Sequence, residues 1–181
     1  VTRFPFSSGP GLHYLPLAKQ IATSSASVVF ILANARDTAL FCQQLRKLGS
    51  SIAKVASDWS ASAAVLPLGG HAVEGLLYVH TVDYSDPRAP YVQFQRNFEE
   101  RFGVPADFAA VHSFDAANIL LDAAEAVGPN PRDIKGELLR REGFETLQTH
   151  LRFDRFGDVV REHFPIHISE GRFVRQEQAA P

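Results

Sequence analysis

FEERFGVPADFAAVHSFDAANILLDAAEAVG (Phe98–Gly128), followed by LRFDRFGDVVREHFPIHISEGRFV (Leu151–Val174), is the pair of stretches on which the fold turns. In and before the first stretch apolar residues recur at helical spacing, through Val92, Phe94 and Phe98 and then Ala116, Ile119, Leu120 and Ala123. That spacing predicts amphipathic helices over Pro90–Gly103 and Phe108–Val127. The second stretch holds an F-D-x-x-G-D turn, and its residues alternate through Leu151, Phe153, His163, Pro165, His167 and Phe173, which predicts a closing hairpin. Between them a more polar helix is expected over Asp133–Arg141, stopped by Gly143.

Upstream, the pattern alternates between strand and helix. VTRFPF reads as a short strand and SSGPG as a turn, and Tyr14–Ala22 as a helix whose Pro16 is tolerable in the first turn. The continuous apolar run Ser27–Ala33 suits a parallel strand covered on both faces. A helix over Asp37–Leu48 then ends at Gly49, and Ser51–Ser57 returns as a strand. DWSASAAVLPLGGHA reads as a polar loop, a short helix and a glycine turn before the strand Glu74–Val82. The fold class is therefore α/β, with a parallel sheet and right-handed crossovers. DYSDPRAP, with two prolines in four residues, breaks the pattern and reads as a crossover between lobes.

Composition narrows the function. The chain has 181 residues, 45% hydrophobic and 21% charged, enough for a sizeable core. A net charge of -2, with no basic run longer than Arg140-Arg141, leaves no footprint for nucleic acid. The single cysteine, Cys42, lies in a helical pattern and reads as a core thiol. No run approaches the ~18 apolar residues of a membrane span. The start lacks signal-peptide features and the sequence lacks Met, so a processed or excised beginning is expected, or else a cytoplasmic chain.

Four separated motifs, in order, resemble the periplasmic ligand-binding receptors of the leucine/isoleucine/valine type that feed ABC transporters. They are VVFILANARDTALFCQQLRKLG, SDWSASAAVLPLGGHAVEGLLYV, PRAPYVQFQRNFEERFGVPADFAAVHSFDAANILLDAAEAVG and FDRFGDVV. The resemblance implies a parallel-sheet, periplasmic-binding-protein-like lobe, with extra helices belonging to a first lobe that lies upstream. Residues 1–82 with 160–175 would form the second lobe, 84–152 the helical segment of the first lobe, and 176–181 a tail. The helices of Pro90–Val127 would then present an apolar face with nothing of this chain beneath it, open to a homodimer or another partner. A ligand touching both lobes would shift an open–closed equilibrium, and the expected partners are a small molecule and an ABC permease.

The resemblance also places the site. Asp58 and Trp59 follow the strand Ser51–Ser57, where an acidic side chain in amino-acid receptors accepts hydrogen bonds from the ligand ammonium; the alternative is that Asp58 caps a helix beginning near Ser60. After the strand Ser27–Ala33, aliphatic amino-acid receptors often place a tyrosine, whereas Asn34, Ala35 and Arg36 stand here. Asn34 offers hydrogen bonds and Arg36 a planar fork for a carboxylate, against a plain turn and a solvated cation. The ligand list therefore widens to amino acids, amides and small aromatic acids. Tyr84, at the crossover, is a further cleft candidate or surface packing, and Phe114 reads as core.

No enzyme is expected, and no cofactor. The seven histidines form no H-E-x-x-H or other metal pattern, and neither G-x-S-x-G nor G-x-x-x-x-G-K occurs. The leading expectation is a periplasmic solute-binding receptor. A cytoplasmic ligand-sensing domain of the same fold and a dimerising interaction module are the alternatives.

Overall fold

Continuous apolar runs separated by amphipathic helices become parallel strands because stacking them edge to edge pairs the backbone while the helices hide the side chains. The computed structural model describes residues 1–9 and 13–176. In chain order these form α1 (Tyr14–Ala22), β1 (Val28–Ile31), α2 (Ala35–Lys47), β2 (Ala53–Ala56), α3 (Val65–Gly69) and β3 (Leu77–His80). Then come α4 (Ala89–Phe102), α5 (Phe108–Val127), α6 (Pro131–Arg140), β4 (Phe144–Glu145), β5 (His150–Phe153), β6 (Val159–Val160), β7 (Phe164–Ser169) and β8 (Arg172–Arg175). The expected turn at Pro10 and Gly11 and the tail from Glu177 lie outside the described residues.

The chain divides into two units, Val1–His80 with the segment from Pro165 onward, and Thr81–Phe164. The first holds a five-stranded sheet in the order β1-β2-β3-β7-β8. β1, β2 and β3 run parallel, with Val28 opposite Ala53, Ile31 opposite Ala56 and Val55 opposite Leu77. β7 joins β3 through Gly75 N–H to Ile168 O at 2.9 Å and Ile168 N–H to Leu76 O at 3.1 Å. β7 and β8 close the sheet as an antiparallel hairpin, with Glu170 in the left-handed region at its turn.

This register puts Ile31, Ala56, Tyr78 and His80 on one face, and all are buried. Right-handed crossovers that advance in one direction set their helices on one face, and α2 packs against both α1 and α3. Leu45, Phe41, Cys42 and Val65 fill the space between these helices and the buried face. Burial pushes the Cys42 thiol up to about 11, in keeping with a core residue. Tyr14 of α1 donates to Asp37 of α2 at 2.5 Å, and burial, then that bond, push its phenol up to about 12.

Two expectations change. α2 starts at Ala35 rather than Asp37, because Asn34 caps it: Asn34 Oδ1 accepts the Asp37 N–H at 2.9 Å. VTRFPF is not a strand; residues 1–8 carry no ladder, since no strand lies alongside to share their backbone groups. The observed strands are also shorter than their apolar runs, β1 by three residues and β3 by five.

The second unit packs α4, α5 and α6 with a small antiparallel sheet, β4-β5-β6. Asp107 caps α5 by accepting the N–H groups of Ala109 and Ala110 at 3.0 and 3.1 Å, and Asn130 caps α6 ahead of Pro131. Val111 of α5 packs with Val82, Tyr91 and Leu147, and Ile119 with Phe144 and Leu151. The proline-rich segment after β3 is pinned by Gln148, whose amide takes the Asp83 N–H at 3.1 Å and donates to Asp83 O at 2.5 Å. Asp86 and Arg88 pair beside it at 2.5 Å.

Asp115 on α5 is buried, and its Oδ1 accepts the Leu147 N–H at 3.0 Å. Burial raises its carboxyl above the ordinary range, against that bond and the charge of Arg161. A carboxyl raised on folding favours the folded state below its unfolded value of about 3.9, and the advantage is lost as pH rises through the raised value. Asp115→Asn keeps the acceptor without the charge. The variant is therefore expected to match or exceed the parent at pH 7 and to lose that margin below about pH 4. Urea unfolding at the two pH values checks this, and a variant clearly weaker at pH 7 would refute it.

Candidate ligand-binding shelf

The carboxyl ends of adjacent parallel strands point their following turns to the same edge of the sheet, which is where α/β sheets bind ligands. The ends of β1 and β2 are tied together by the Ser57 N–H bond to Ile31 O at 2.9 Å. This brings the turn Asn34–Arg36 and the pair Asp58-Trp59 to one edge. Tyr84 and Phe114 belong to the second unit: Tyr84 packs, half-buried, against the Val82–Tyr91–Val111 cluster, and Phe114 is 43% exposed with its ring 4.8 Å from that of Phe94. The expectation that Phe114 is core is thus not met, since α5 turns that position outward.

Asp58 opens a single 3-10 turn, Asp58–Ser60, in which Ser57 occupies the capping position and makes no side-chain cap. The Asp58 carboxylate is exposed and makes no hydrogen bond among the described residues, so it does not serve as a cap. Trp59 is 69% exposed, too open for a packed core indole. Arg36 lies exposed in the first turn of α2 and makes no ion pair among the described residues. Asn34 is otherwise occupied: besides capping α2, its amide donates to Asp37 Oδ2 at 3.1 Å. Ala35 contributes backbone only.

Two hydroxyls beside this edge escaped sequence reasoning. Ser57 Oγ, one residue before Asp58, and Thr38 Oγ1, one turn into α2, are both buried without a hydrogen-bond partner among the described residues. Leaving such a group unsatisfied costs about 1–3 kcal/mol. Their signal in the sequence was position alone, since serine and threonine are common at strand ends and helix starts.

In the second unit His112 forms a polar node. Arg161 donates to its Nδ1 at 2.8 Å, and because a guanidinium only donates, the ring proton sits on Nε2 and is given to Thr81 Oγ1 at 2.8 Å. Thr81 opens this unit and Arg161 lies near its close, so one neutral imidazole links both ends. Of the expected histidine pair on the closing hairpin, only His167 lies in β7; His163 precedes it.

A cavity of about 900 Å³ lies away from the shelf, between residues 1–6 and β1, and is lined by neither Asp58 nor Arg36. Charged and aromatic groups that are free at adjacent strand ends, rather than this apolar cleft, carry the chemistry a polar ligand needs.

An open α/β unit with unengaged polar side chains at its strand ends is the architecture of a small-molecule binder. The chain belongs to the periplasmic binding protein family, which matches residues 5–158. None of the curated protein sequences matches it. Among solved structures it is similar to the leucine-binding protein LivK of Thermotoga maritima, at 21% identity and a TM-score of 0.81, covering 91% of this chain and 47% of that one. It is also similar to the R. palustris ABC transporter solute-binding protein in complex with benzoate, at 17% identity and 0.80, covering 92% and 46%. A third is the Streptococcus pneumoniae branched-chain amino acid transporter substrate-binding protein LivJ in complex with isoleucine, at 13% identity and 0.78, covering 92% and 50%. These likenesses establish the fold, and the chain spans about half the length of each of these solved relatives.

Proposed function

We propose that this chain is part of a solute receptor of an ABC-type uptake system, acting in the periplasm without a chemical step of its own. The observation that carries the reading is the pair of unengaged charges at adjacent strand ends, Asp58 and Arg36, with the exposed indole of Trp59 beside Asp58. A carboxylate accepts the hydrogen bonds of a ligand ammonium, and a guanidinium holds a ligand carboxylate with two parallel bonds. Two of the relatives solved with ligands hold isoleucine and benzoate, which share only a carboxylate and an apolar body. Arg36 would meet the first and Trp59 the second, while Asp58 would separate amino acids from simple acids. On this reading the first unit is one lobe of the receptor and the helices of the second belong with the other lobe; the permease is its partner.

Trp59 is the only tryptophan, so its emission reports the shelf directly. Titration with leucine, isoleucine and benzoate is expected to give a saturable change in the chain its gene encodes in full, and a weak change or none in these 181 residues. Silence with all three ligands in both forms would remove the assignment of Asp58 and Trp59.

A second reading, a homodimer through the helices, is favoured by one observation. Phe102, Phe114, Leu120 and Leu121 of α4 and α5 are 58%, 43%, 50% and 66% exposed, an apolar content that free surfaces of monomers seldom gather. Sedimentation at micromolar concentration distinguishes them: this reading requires a dimer that Leu121→Glu dissociates, and a strict monomer excludes it.

A further inference from the structure

The polar node at His112 serves neither the ligand shelf nor the apolar helical face. Thr81, His112 and Arg161 are each half-buried. They come from three places in the second unit: the residue after β3, the second turn of α5 and the segment between β6 and β7. The ring is fixed on both nitrogens, by Arg161 at Nδ1 and by Thr81 Oγ1 at Nε2, each at 2.8 Å, and Phe108 meets it edge-on at 6.2 Å. Val82, directly after Thr81, and Val111, directly before His112, belong to one buried cluster, so the node is seated on packed core.

Charge decides what the node can do. An imidazole accepts a hydrogen bond only while one ring nitrogen is bare; a proton on Nδ1 removes the acceptor and sets a second cation against the guanidinium. Burial holds the Arg161 guanidinium below its ordinary value, with the charge of Asp115 opposing, so that cation is already short of solvent. Asp115 lies three residues beyond His112 on α5, and its Oδ1 accepts the Leu147 N–H. From the segment after β3, Asp86 and Asp83 act on Arg88, as does Glu162 beside Arg161. Asp83 Oδ1 also accepts from the Ser85 N–H and hydroxyl, and Asp86 is paired with Arg88. The Nε2–H bond to Thr81 survives in either charge state of the ring, whereas the Nδ1 bond from Arg161 does not.

We propose that His112 is a pH-sensitive latch on the segment between β6 and β7: the neutral ring holds Arg161 to α5, and protonation of Nδ1 releases that segment while Thr81 stays bound. The latched segment is where the chain leaves the second unit, three residues before Phe164. Because the Arg161 bond exists only with the neutral ring, the latched form takes up a proton less readily than the released form. Its advantage is complete above the ordinary histidine value of about 6.5 and is lost as pH falls below it. One pH unit below that value the released form has gained by up to about tenfold, the change in bare-ring fraction per unit. The latch involves no ligand, so a failed titration of the shelf leaves it intact.

Amide hydrogen exchange of the 181-residue chain, corrected for the intrinsic effect of pH, tests it. Protection over residues 159–164 is expected to fall by roughly 5–10-fold from about pH 7.5 to about pH 5.5, while that of β3 and Thr81 changes by less than about twofold. Unchanged protection over 159–164 overturns the proposal, and so does an equal loss in both segments, which is general loosening by acid. A local readout is needed because His150, bonded to Glu145, is drawn up and favours the fold as pH falls. His112→Gln, whose amide accepts and donates without titrating, is expected to make protection over 159–164 independent of pH; a loss as large as the parent's overturns the latch. Should that variant unfold, the ring ¹⁵N shifts of the parent decide. At about pH 7.5 the proton is expected on Nε2; a proton on Nδ1, to which no guanidinium can donate, overturns the proposal.

Discussion

Leu45→Ala is expected to destabilise the first unit by about 2–5 kcal/mol, the largest effect of any single truncation proposed for this chain. Leu45 is 1% exposed on the inner side of α2, the helix that packs against α1, α3 and the short turns after β2 and α3. Removing its branched end forfeits the transfer energy of the buried carbons and leaves a cavity that neighbours on several elements cannot close together. The fair comparison is Leu121→Ala in α5, where the side chain is 66% exposed and the change is expected to stay within about 0.5 kcal/mol. Because the chain has two units, a single transition is not assumed. Trp59 lies in the first unit, so its fluorescence during urea unfolding reads the Leu45 effect where it occurs. A loss below 1 kcal/mol by that probe would mean that α2 repacks and is not the centre of the unit.

Asp58→Ala is expected to weaken a zwitterionic amino-acid ligand by at least ~1.5 kcal/mol, roughly tenfold in Kd, in the chain its gene encodes in full. The same variant should leave benzoate affinity within about twofold, since no ammonium is present for the carboxylate to meet, whereas Arg36→Ala should weaken both ligands. Folding does not confound this result. The Asp58 side chain is exposed and makes no hydrogen bond among the described residues, so its removal is expected to change stability by no more than about 0.5 kcal/mol. Calorimetric titration of both ligands against the two variants checks the pattern. Equal loss for both ligands in Asp58→Ala would show that the residue shapes the shelf without reading the ammonium.

Most elements were legible because their signals are local. Tyr14–Ala22 and Phe108–Val127 fall where the apolar spacing sets them, and Gly49 stops α2 with a positive φ of 67°. The start of α2 was misplaced by two residues because an asparagine reads equally as a turn residue and as a cap, and only the Asn34–Asp37 bond decides between them. VTRFPF misled for a different reason. Its apolar residues are those of a strand, but strand formation depends on a neighbour that a sequence segment does not specify by itself.

The site divides along the same line. That Asp58 and Trp59 follow one strand and Asn34–Arg36 another could be read from the order of residues. That Asn34 spends its side chain on a helix cap while Arg36 and Asp58 stay unengaged among the described residues, and that the hydroxyls of Ser57 and Thr38 are buried without partners among them, required the packed chain, because hydrogen-bond partners come from elements far apart in sequence. The sequence by itself determined the α/β class, the helix positions and the strand ends that carry polar groups, since periodicity and caps act over a few residues. The tertiary structure alone decided which sheet face is covered, which edge is open and which charges are free, since those follow from register and crossover handedness, which act across the whole unit.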